Sequence, residues 1–250
     1  MLSGRKILFF GGLFYLAFLV ASIPTGIVAR QIERQTDKRI LLGSEKGTLW
    51  KGSADILIVD PNGAVPRRLG SASWRFRAAD LLGGKLGFDL EIADRGVMAK
   101  GVVGLGAGGV RIKDAKAEIQ AGWLARFHGA LATLRPGGRI VFDATDFSFT
   151  PGGFAGRAEL RWLNASSALT AQPLGNYRAD LEGKAQGVSF SLATEQGVLD
   201  LSGAGNWSRR GGLAFDGIAR KRADAVGLDA LLRIMGPAQS DGAYLIRVRG

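Results

Sequence analysis

Apolar and polar residues alternate with a period of two over most of the chain beyond residue 40. In SASWRFRA, Trp74 and Phe76 alternate with Arg75 and Arg77, and the same alternation returns in GFDLEIA, GVRIKD, RAELRWL, GVSFSLA, GVLDLSG and AYLIRVR. This period places apolar side chains on one face of a strand and polar side chains on the other. Glycine-rich segments interrupt it about every 8 to 15 residues, as is typical of turns. The pattern predicts a mainly β fold, an antiparallel sheet with one dry face and one solvated face.

Two segments depart from this alternation. Residues 122–134 (GWLARFHGALATL) and residues 228–235 (LDALLRIM) instead space their apolar residues as an amphipathic helix does. Each is followed by a glycine-bearing turn and then by another strand-like stretch. The sequence therefore predicts short helices inserted between strands.

Three short motifs occur twice, with their copies 101 to 105 residues apart. The pairs are Leu69-Gly70 with Leu174-Gly175, Phe88 with Phe190, and Gly96-Val97 with Gly197-Val198. Self-similarity of this kind indicates repeated structural units. We expect two diverged strand-meander modules, residues 41–134 and residues 135–250, which together form one curved, twisted antiparallel sheet.

The N-terminus has a different pattern. Residues 7–29 contain no charged residue, and a helix of this length spans the roughly 30 Å hydrocarbon core of a bilayer. Because Arg5 and Lys6 precede this segment, residues 1–6 are predicted to stay in the cytoplasm and the rest of the chain to be exported. Residues 30–40 are polar and predict a stalk. The apolar side chains of the predicted anchor are Ile7, Phe10, Leu13, Leu16, Leu19, Val20, Ile23 and Val28.

A cleavable signal peptide is the alternative for this segment. Residues 8–20 supply an apolar stretch of suitable length, and the small residues that follow offer a cleavage site near Ser22. The apolar character continues beyond that site through Ile23, Ile27 and Val28. The sequence therefore favours an anchor that is retained.

Composition restricts the chemistry. The chain has 250 residues, no cysteine, one histidine (His128) and a formal net charge of +11. The lack of cysteine excludes disulfides and thiolate metal sites, and a single histidine argues against zinc sites and histidine-based catalysis. The positive charge favours anionic lipid or an acidic protein as partner, whereas nucleic acid is not expected for an exported, membrane-held protein. Basic clusters at residues 67–68, 209–210 and 220–222 are expected to be solvated loop charges or contacts to lipid headgroups.

The candidate catalytic motifs have structural explanations. Residues 104–109 (GLGAGG) have the spacing G-x-G-x-x-G, but a strand-like segment follows where a dinucleotide site requires a helix, so a hairpin turn is predicted. Asp143 and Asp146 stand three positions apart in a strand, which predicts opposite faces and no acid–base pair. We expect no enzyme, no cofactor and no metal site.

A series of turn and strand-end motifs follows in order along the chain. GTLWKGSA begins at Gly47, a tryptophan-bearing strand follows at Trp74, and LRW, PLGNY and GVLDLSGAGNW come later, before DGAYLIRVRG closes the chain. In this order the chain resembles the type II secretion system protein N family of Gram-negative bacteria. The motif residues, for which we expect structural roles, are Gly47, Trp50, Gly52, Trp74, Trp162, Pro173, Gly175 and Tyr177.

The resemblance implies a function outside catalysis. It implies a single-pass inner-membrane protein with a periplasmic domain, accessory to the machine that moves folded proteins across the outer membrane. Its implied partners are other components of the type II secretion system and inner-membrane lipid, and the family offers no catalytic residues.

A second hypothesis comes from a different class of protein. Amphipathic strands in a bent sheet behind a membrane anchor also resemble periplasmic lipid-carrying proteins of the AsmA-like kind, in which an apolar face holds acyl chains. The two hypotheses differ over residues 122–134 and 228–235. A dry face capped by these helices favours a protein-binding module, and an open apolar groove favours a lipid ligand.

Overall fold

The computed structural model describes residues 22–59, 66–124, 134–170, 172–222 and 227–249. Within these residues the chain forms an open sheet of 13 strands in which the spatial order is the order in sequence and neighbours run antiparallel. The period-two alternation therefore predicted the mainly β, antiparallel fold correctly.

The elements have the following bounds. The strands are β1 Ile40–Gly47, β2 Lys51–Ile58, β3 Arg67–Arg77, β4 Leu86–Asp94, β5 Val97–Gly106, β6 Gly109–Gln120, β7 Gly137–Thr150, β8 Gly153–Ser166, β9 Gly175–Lys184, β10 Gly187–Gly197, β11 Leu199–Ser208, β12 Gly212–Lys221 and β13 Tyr244–Arg249. The helices are α1 Thr25–Gln35, α2 Ala121–Leu124, α3 Asp229–Met235 and a 3₁₀ helix, Ala78–Gly83, between β3 and β4.

The connections at one end of the sheet are tight turns, except that between β3 and β4, which is eight residues long and contains the 3₁₀ helix. They join β1 to β2, β3 to β4, β5 to β6, β7 to β8, β9 to β10 and β11 to β12, and we call this end of the sheet the hairpin end. Residues 104–109 lie here as predicted, in the turn between β5 and β6. Gly109 has φ +114°, and a Cβ on it would overlap the carbonyl oxygen of Phe149, so the turn requires glycine at this position.

Irregular register bends several strands. The pairing shifts within β1, between β5 and β6, and between β7 and β8, and Asp114 adopts a left-handed conformation (φ 49°) beside the second of these irregularities. Such bulges increase local twist and bend the strand.

The shift between Asp143 and Asp146 also corrects an expectation from the sequence. Because an extra residue stands between them, both carboxylates point to the charged face, where they pair with Lys116 and Arg111 respectively.

Helix α1 packs against the first strand of the sheet. Thr25 and Ala29 are buried, four positions apart on one side of the helix, and the Thr25 hydroxyl donates to the carbonyl oxygen of Lys46 at 3.4 Å. The carbonyl oxygen of Ile23 accepts a 2.9 Å hydrogen bond from the amide of Leu49. The last part of the predicted anchor, from residue 22 onward, therefore lies against the sheet, and α1 crosses the predicted boundary between anchor and stalk.

The remaining anchor residues, Ile7, Phe10, Leu13, Leu16, Leu19 and Val20, and the flanking Arg5 and Lys6 lie outside the described residues. So does the side chain of Val28. Among the described residues, no helix is both long enough and apolar enough to cross a bilayer. The transmembrane anchor stays a prediction from the sequence.

Helix α3 covers the dry face in the second half of the sheet. Leu228, Leu231 and Leu232 point into a core that also contains Tyr177 and Leu199. Leu228 and Leu232 have no exposed surface, whereas Ile234 on the outer side of the helix is 63% exposed. The spacing of these residues is the one that the sequence predicted for a helix over residues 228–235. Helix α2 matches only the start of the predicted helix over residues 122–134, because residues 125–133 lie outside the described part.

The repeated motifs occupy equivalent elements. Leu69-Gly70 lies in β3 and its copy begins β9, while Phe88 in β4 corresponds to Phe190 in β10. The copies are therefore six strands apart. The sheet is continuous across the predicted module boundary, since β6 and β7 pair along most of their lengths. The division into two modules stays a prediction.

The burial of Leu232 generates a stability prediction. Replacement Leu232→Ala leaves a cavity under α3 and is expected to lower the free energy of unfolding by about 2 to 5 kcal/mol. The control, Ile234→Ala on the exposed side of the same helix, is expected to change it by no more than about 0.5 kcal/mol. Guanidinium unfolding of the full chain in detergent, followed by tryptophan fluorescence, measures both. Equal midpoints for the two variants would contradict the packing of α3.

Candidate functional site

The first half of the sheet has an apolar groove on its dry face. The groove has a volume of about 510 Å³. Its lining consists of Ile32, Ile40, Leu42, Leu49, Trp50, Ile56, Leu69, Ala72, Trp74, Leu86, Phe88, Leu90, Ile92, Val103 and Leu105, all of them hydrophobic. Small-molecule sites are typically concave, largely apolar and about 300 to 1,000 Å³ in volume. The groove is therefore a candidate site for an apolar ligand.

The strands build the floor of the groove through their alternation. Trp74 in β3 lies opposite Leu90 in β4, and Phe76 lies opposite Phe88, so one apolar row continues from strand to strand. The rings of Phe76 and Phe88 are 5.5 Å apart between centroids. Helix α1 supplies part of one wall, since Ile32 projects from it into the groove. The alternation predicted the floor but not the helix that borders it.

Trp74 fixes the turn between β1 and β2. Its indole Nε1 donates to the carbonyl oxygens of Thr48 and Leu49, at 3.2 and 3.0 Å. The ring lies over Gly52, where a Cβ would come within 2.7 Å of it. Gly47 has φ +87°, and a Cβ there would overlap the carbonyl oxygen of Lys51. The spacing of the two glycines in GTLWKG is thus explained by one tight turn held under one tryptophan.

Trp50 closes the hairpin end of the groove. Its ring meets Phe76 edge-on, with centroids 4.7 Å apart, a geometry that is favourable for aromatic pairs. The carbonyl oxygen of Trp50 accepts a 2.6 Å hydrogen bond from the amide of Phe76. The turn, β3 and the groove floor are therefore joined at this end.

The motif residues of the second half have a different environment. Trp162 donates from Nε1 to the carbonyl oxygen of Gly137 at 2.9 Å and packs on Tyr177, with centroids 5.9 Å apart. Tyr177 is buried, and its hydroxyl donates to the carbonyl oxygen of Leu199 at 3.0 Å. Burial raises the pKa of the Tyr177 phenol, so this group stays protonated. These side chains form core and not a ligand site.

Two further motif residues shape the connection before β9. Gly175 has φ +143°, and a Cβ there would overlap the carbonyl oxygen of Gln196 in β10, so the strand start requires glycine. Pro173 is exposed and Leu174 beside it is buried in the core. The motif residues therefore lie at the turn and floor of the groove (Gly47, Trp50, Gly52 and Trp74) or in and beside the core of the second half (Trp162, Gly175 and Tyr177), whereas Pro173 is exposed.

The two functional hypotheses differ over whether helices cover the dry face, and the two halves of the sheet differ in this respect. In the second half of the sheet, α3 caps the dry face. In the first half, the groove stays open among the described residues. The other predicted cap, residues 122–134, lies mostly outside the described part, although Ala121 and Trp123 at its start are buried. The described residues therefore show a covered dry face in the second half and an open groove in the first half.

The opposite face of the sheet carries ladders of ion pairs. Arg68 lies between Asp55 and Asp94, at 2.8 and 3.3 Å, and its hydrogen bond holds the pKa of the Asp55 carboxyl below its usual range. Arg178 lies in the same way between Glu159 and Asp180, at 2.9 and 2.7 Å. Pairs on exposed strands contribute little stability each, so their main effect is to keep this face solvated.

The charged face is also concave over β1 to β6. A hollow of about 740 Å³ there is lined by basic side chains, Lys46, Lys51, Arg75 and Lys100, and by acidic ones, Asp89, Glu91 and Asp114. Because both signs of charge are present, the hollow does not select one class of charged ligand.

The basic clusters predicted from the sequence divide between two kinds of contact. Arg68, Arg220 and Lys221 form ion pairs, the last two with Asp241 and Asp229 at 2.5 and 3.0 Å. Arg209 instead stacks over the ring of Phe149, with its guanidinium carbon 4.1 Å from the centroid. His128 lies outside the described residues, and within the described ranges no cluster of three or more potential metal ligands occurs.

Some residues of the site were missed by sequence reasoning. Leu81 and Leu82 in the 3₁₀ helix are 51% and 95% exposed, and Leu86 and Leu105 at the groove mouth are each 40% exposed. The sequence does contain a signal for them. Two adjacent leucines stand between two alternating stretches, in a connection that is normally polar.

Comparison with known proteins identifies a family. The family model for type II secretion system protein N matches residues 38–247, which includes all 13 strands up to the last residues of β13. The search of curated proteins found no match, and the search of solved structures found none either.

The two hydrogen bonds of Trp74 generate a prediction. Replacement Trp74→Phe keeps an aromatic ring but removes the donor to Thr48 and Leu49, and we expect it to cost about 1 to 3 kcal/mol of unfolding free energy. The matched control is Trp207→Phe, because Trp207 is 40% exposed and lies on the dry face of the other half. Thermal unfolding of both variants in the same detergent compares them. A midpoint for Trp74→Phe no lower than that of the control would show that the indole does not hold the turn.

Proposed function

The chain belongs to the type II secretion system protein N family, and we propose that it is an accessory inner-membrane component of that system that acts by contacting other components. The family match over residues 38–247 is the observation that carries the proposal. Membership implies involvement in type II secretion and association with its machinery. The family is a secretion component and is not known as an enzyme, and we propose that this chain acts without catalysis.

The proposed location is the inner membrane, with the sheet in the periplasm. It is supported by the uncharged residues 7–21, which precede the part of the segment that lies against the sheet, and by Arg5 and Lys6, which favour a cytoplasmic N-terminus. The chain would then cross the membrane once. The proposed partners are the other secretion components and inner-membrane lipid.

The sheet offers edges for contacts between proteins. Strand β13 pairs with β12 on one side, and on the other side Pro237 and Ala238 contact its first two residues, Tyr244 and Leu245. Among the described residues, the outer edge of β13 is therefore open only over residues 246–249. Exposed edges accept an added strand through main-chain hydrogen bonds. Arg247 and Arg249 lie on β13 and pair with Asp216, which places charge at the edge and opposes uncontrolled pairing. We propose β13 as the edge through which the partner binds.

A secretion assay tests the proposed function. Deletion of this protein is expected to lower export of type II cargo, and the full chain is expected to restore it. A photo-crosslinking residue in place of Val248 on β13 is expected to capture another secretion component, whereas one in place of Met98, 67% exposed on an interior strand, is the control. Unchanged cargo export after deletion would sink the proposal.

The open groove favours a second candidate function. A wholly hydrophobic lining and a volume of about 510 Å³ suit an acyl chain, so the alternative is a protein that binds or transfers lipid. The hydrophobic side chains at the mouth lie next to the segment predicted to enter the membrane. On this alternative, loss of the protein changes the lipid composition of the outer membrane and leaves type II cargo export intact.

Adjacent valines allow this alternative to be tested. Val103 lines the groove, and Val102 next to it faces the charged hollow. The replacement Val103→Trp is expected to fill the groove and to lower, several-fold, the phospholipid that copurifies with the full chain in mass spectrometry. Val102→Trp is expected to leave it unchanged. Absence of copurifying phospholipid from the unmodified protein would rule out the lipid function.

A further inference from the structure

Four exposed leucines lie at the hairpin end of the first half of the sheet. Leu81 and Leu82 project from the 3₁₀ helix, and Leu86 and Leu105 follow on β4 and β5. Leu86 and Leu105 also line the groove, as does Trp50. We call these five residues the mouth patch. Clustered exposed hydrophobic side chains mark surfaces that bind a partner or a membrane.

The N-terminal segment joins the domain beside this patch. The carbonyl oxygen of Ile23 accepts a hydrogen bond from Leu49, the residue before Trp50, and Pro24 forms a bridge with Thr48. Residues 7–21 are uncharged and mostly apolar in sequence and precede this point directly. A bilayer that holds residues 7–21 therefore lies close to the mouth patch, because only Ser22 separates this segment from the hydrogen-bonded Ile23.

Two exposed lysines adjoin patch residues in sequence at the hairpin end, since Lys51 follows Trp50 and Lys85 precedes Leu86. Lys51 and Lys85 are exposed and, in the described part of the chain, neither forms an ion pair. The acidic residue of this connection, Asp80, is engaged by Arg77 at 3.1 Å. A hydrophobic surface with lysines at the same end of the sheet is complementary to anionic lipid headgroups above an acyl layer.

We propose that the mouth patch is a membrane-contact surface that lies in the interfacial layer of a bilayer containing anionic phospholipid. Its leucines enter the boundary of the acyl layer, and Lys51 and Lys85 contact lipid phosphates. The groove then opens at the membrane surface, with its hydrophobic mouth facing the acyl chains. This inference rests on the proposed function, because the proposed anchor identifies which membrane the patch contacts. The patch adds a fixed orientation of the sheet relative to that membrane, which an anchor alone does not impose.

Single-cysteine labelling tests this orientation, since the natural chain has no cysteine. The full chain carrying Leu82→Cys is labelled with an environment-sensitive fluorophore and reconstituted into vesicles of phosphatidylcholine and phosphatidylglycerol. The first control is Leu213→Cys, 40% exposed at the hairpin end of the second half, and the second is Met98→Cys on the charged face. We expect lipid-borne nitroxides to quench the label at position 82 several-fold more than at the other two positions.

Charge reversal tests the contribution of the lysines. In the Leu82→Cys background, Lys51→Glu and Lys85→Glu are each expected to lower membrane contact about fivefold on anionic vesicles and not on neutral ones. Lys100→Glu is the control, because Lys100 lines the same charged hollow as Lys51 but lies six residues before the end of β5 at the hairpin end. Equal effects of all three reversals would overturn the assignment of Lys51 and Lys85.

Other outcomes are also decisive. Equal quenching at positions 82 and 213, or none at either, overturns the proposal. A label at position 82 that is solvent-exposed in pure vesicles but protected in native membranes assigns the patch to a protein partner and overturns the proposal as well.

Alkaline carbonate extraction is measured separately. Release of the full chain at alkaline pH contradicts the proposed anchor, whereas quenching at neutral pH reports on the mouth patch alone.

Discussion

The structure depends on how one hydrophobic face of an open sheet is kept from water. Every strand contributes alternate apolar side chains to that face, and a sheet that does not close on itself cannot cover them from within. In the second half, α3 inserts Leu228, Leu231 and Leu232 against the face and completes a core. In the first half, α1 covers the edge at β1, and the apolar row beyond it lines a groove. The candidate site is the part of this face that the described helices leave open.

The two faces of the sheet have different roles. The charged face is balanced by pairs such as Arg68 with Asp55 and Arg178 with Glu159, which keep it solvated. Its acids and bases are directed at each other across neighbouring strands. The hydrophobic face is covered by α3 in the second half, whereas in the first half it lines the groove. Both proposed functions, contact with secretion components and contact with lipid, therefore depend on the parts of the sheet that remain unpaired, namely the edge β13 and the groove.

The groove and the proposed membrane contact both depend on the turn between β1 and β2. A single tight turn, with Gly47 and Gly52 held under Trp74, brings the end of the N-terminal segment next to Trp50. The neighbouring connection between β3 and β4 then presents Leu82 to solvent on the same side. A secretion component oriented in this way would hold its sheet at a defined angle to the membrane, with its far edge β13 available to a partner in the periplasm.

The sequence by itself determined the local structure. Alternation in segments such as SASWRFRA predicted the strands, glycines predicted the hairpins, and leucine spacing predicted α3, because each depends on residues that are close along the chain. The ordered motifs also indicated the family. Tertiary structure alone decided which part of the hydrophobic face is covered, since that depends on packing between α1 or α3 and strands distant in sequence. It also decided that Asp143 and Asp146 share a face, because a bulge is set by hydrogen-bond register with neighbouring strands and leaves no mark in a period-two pattern.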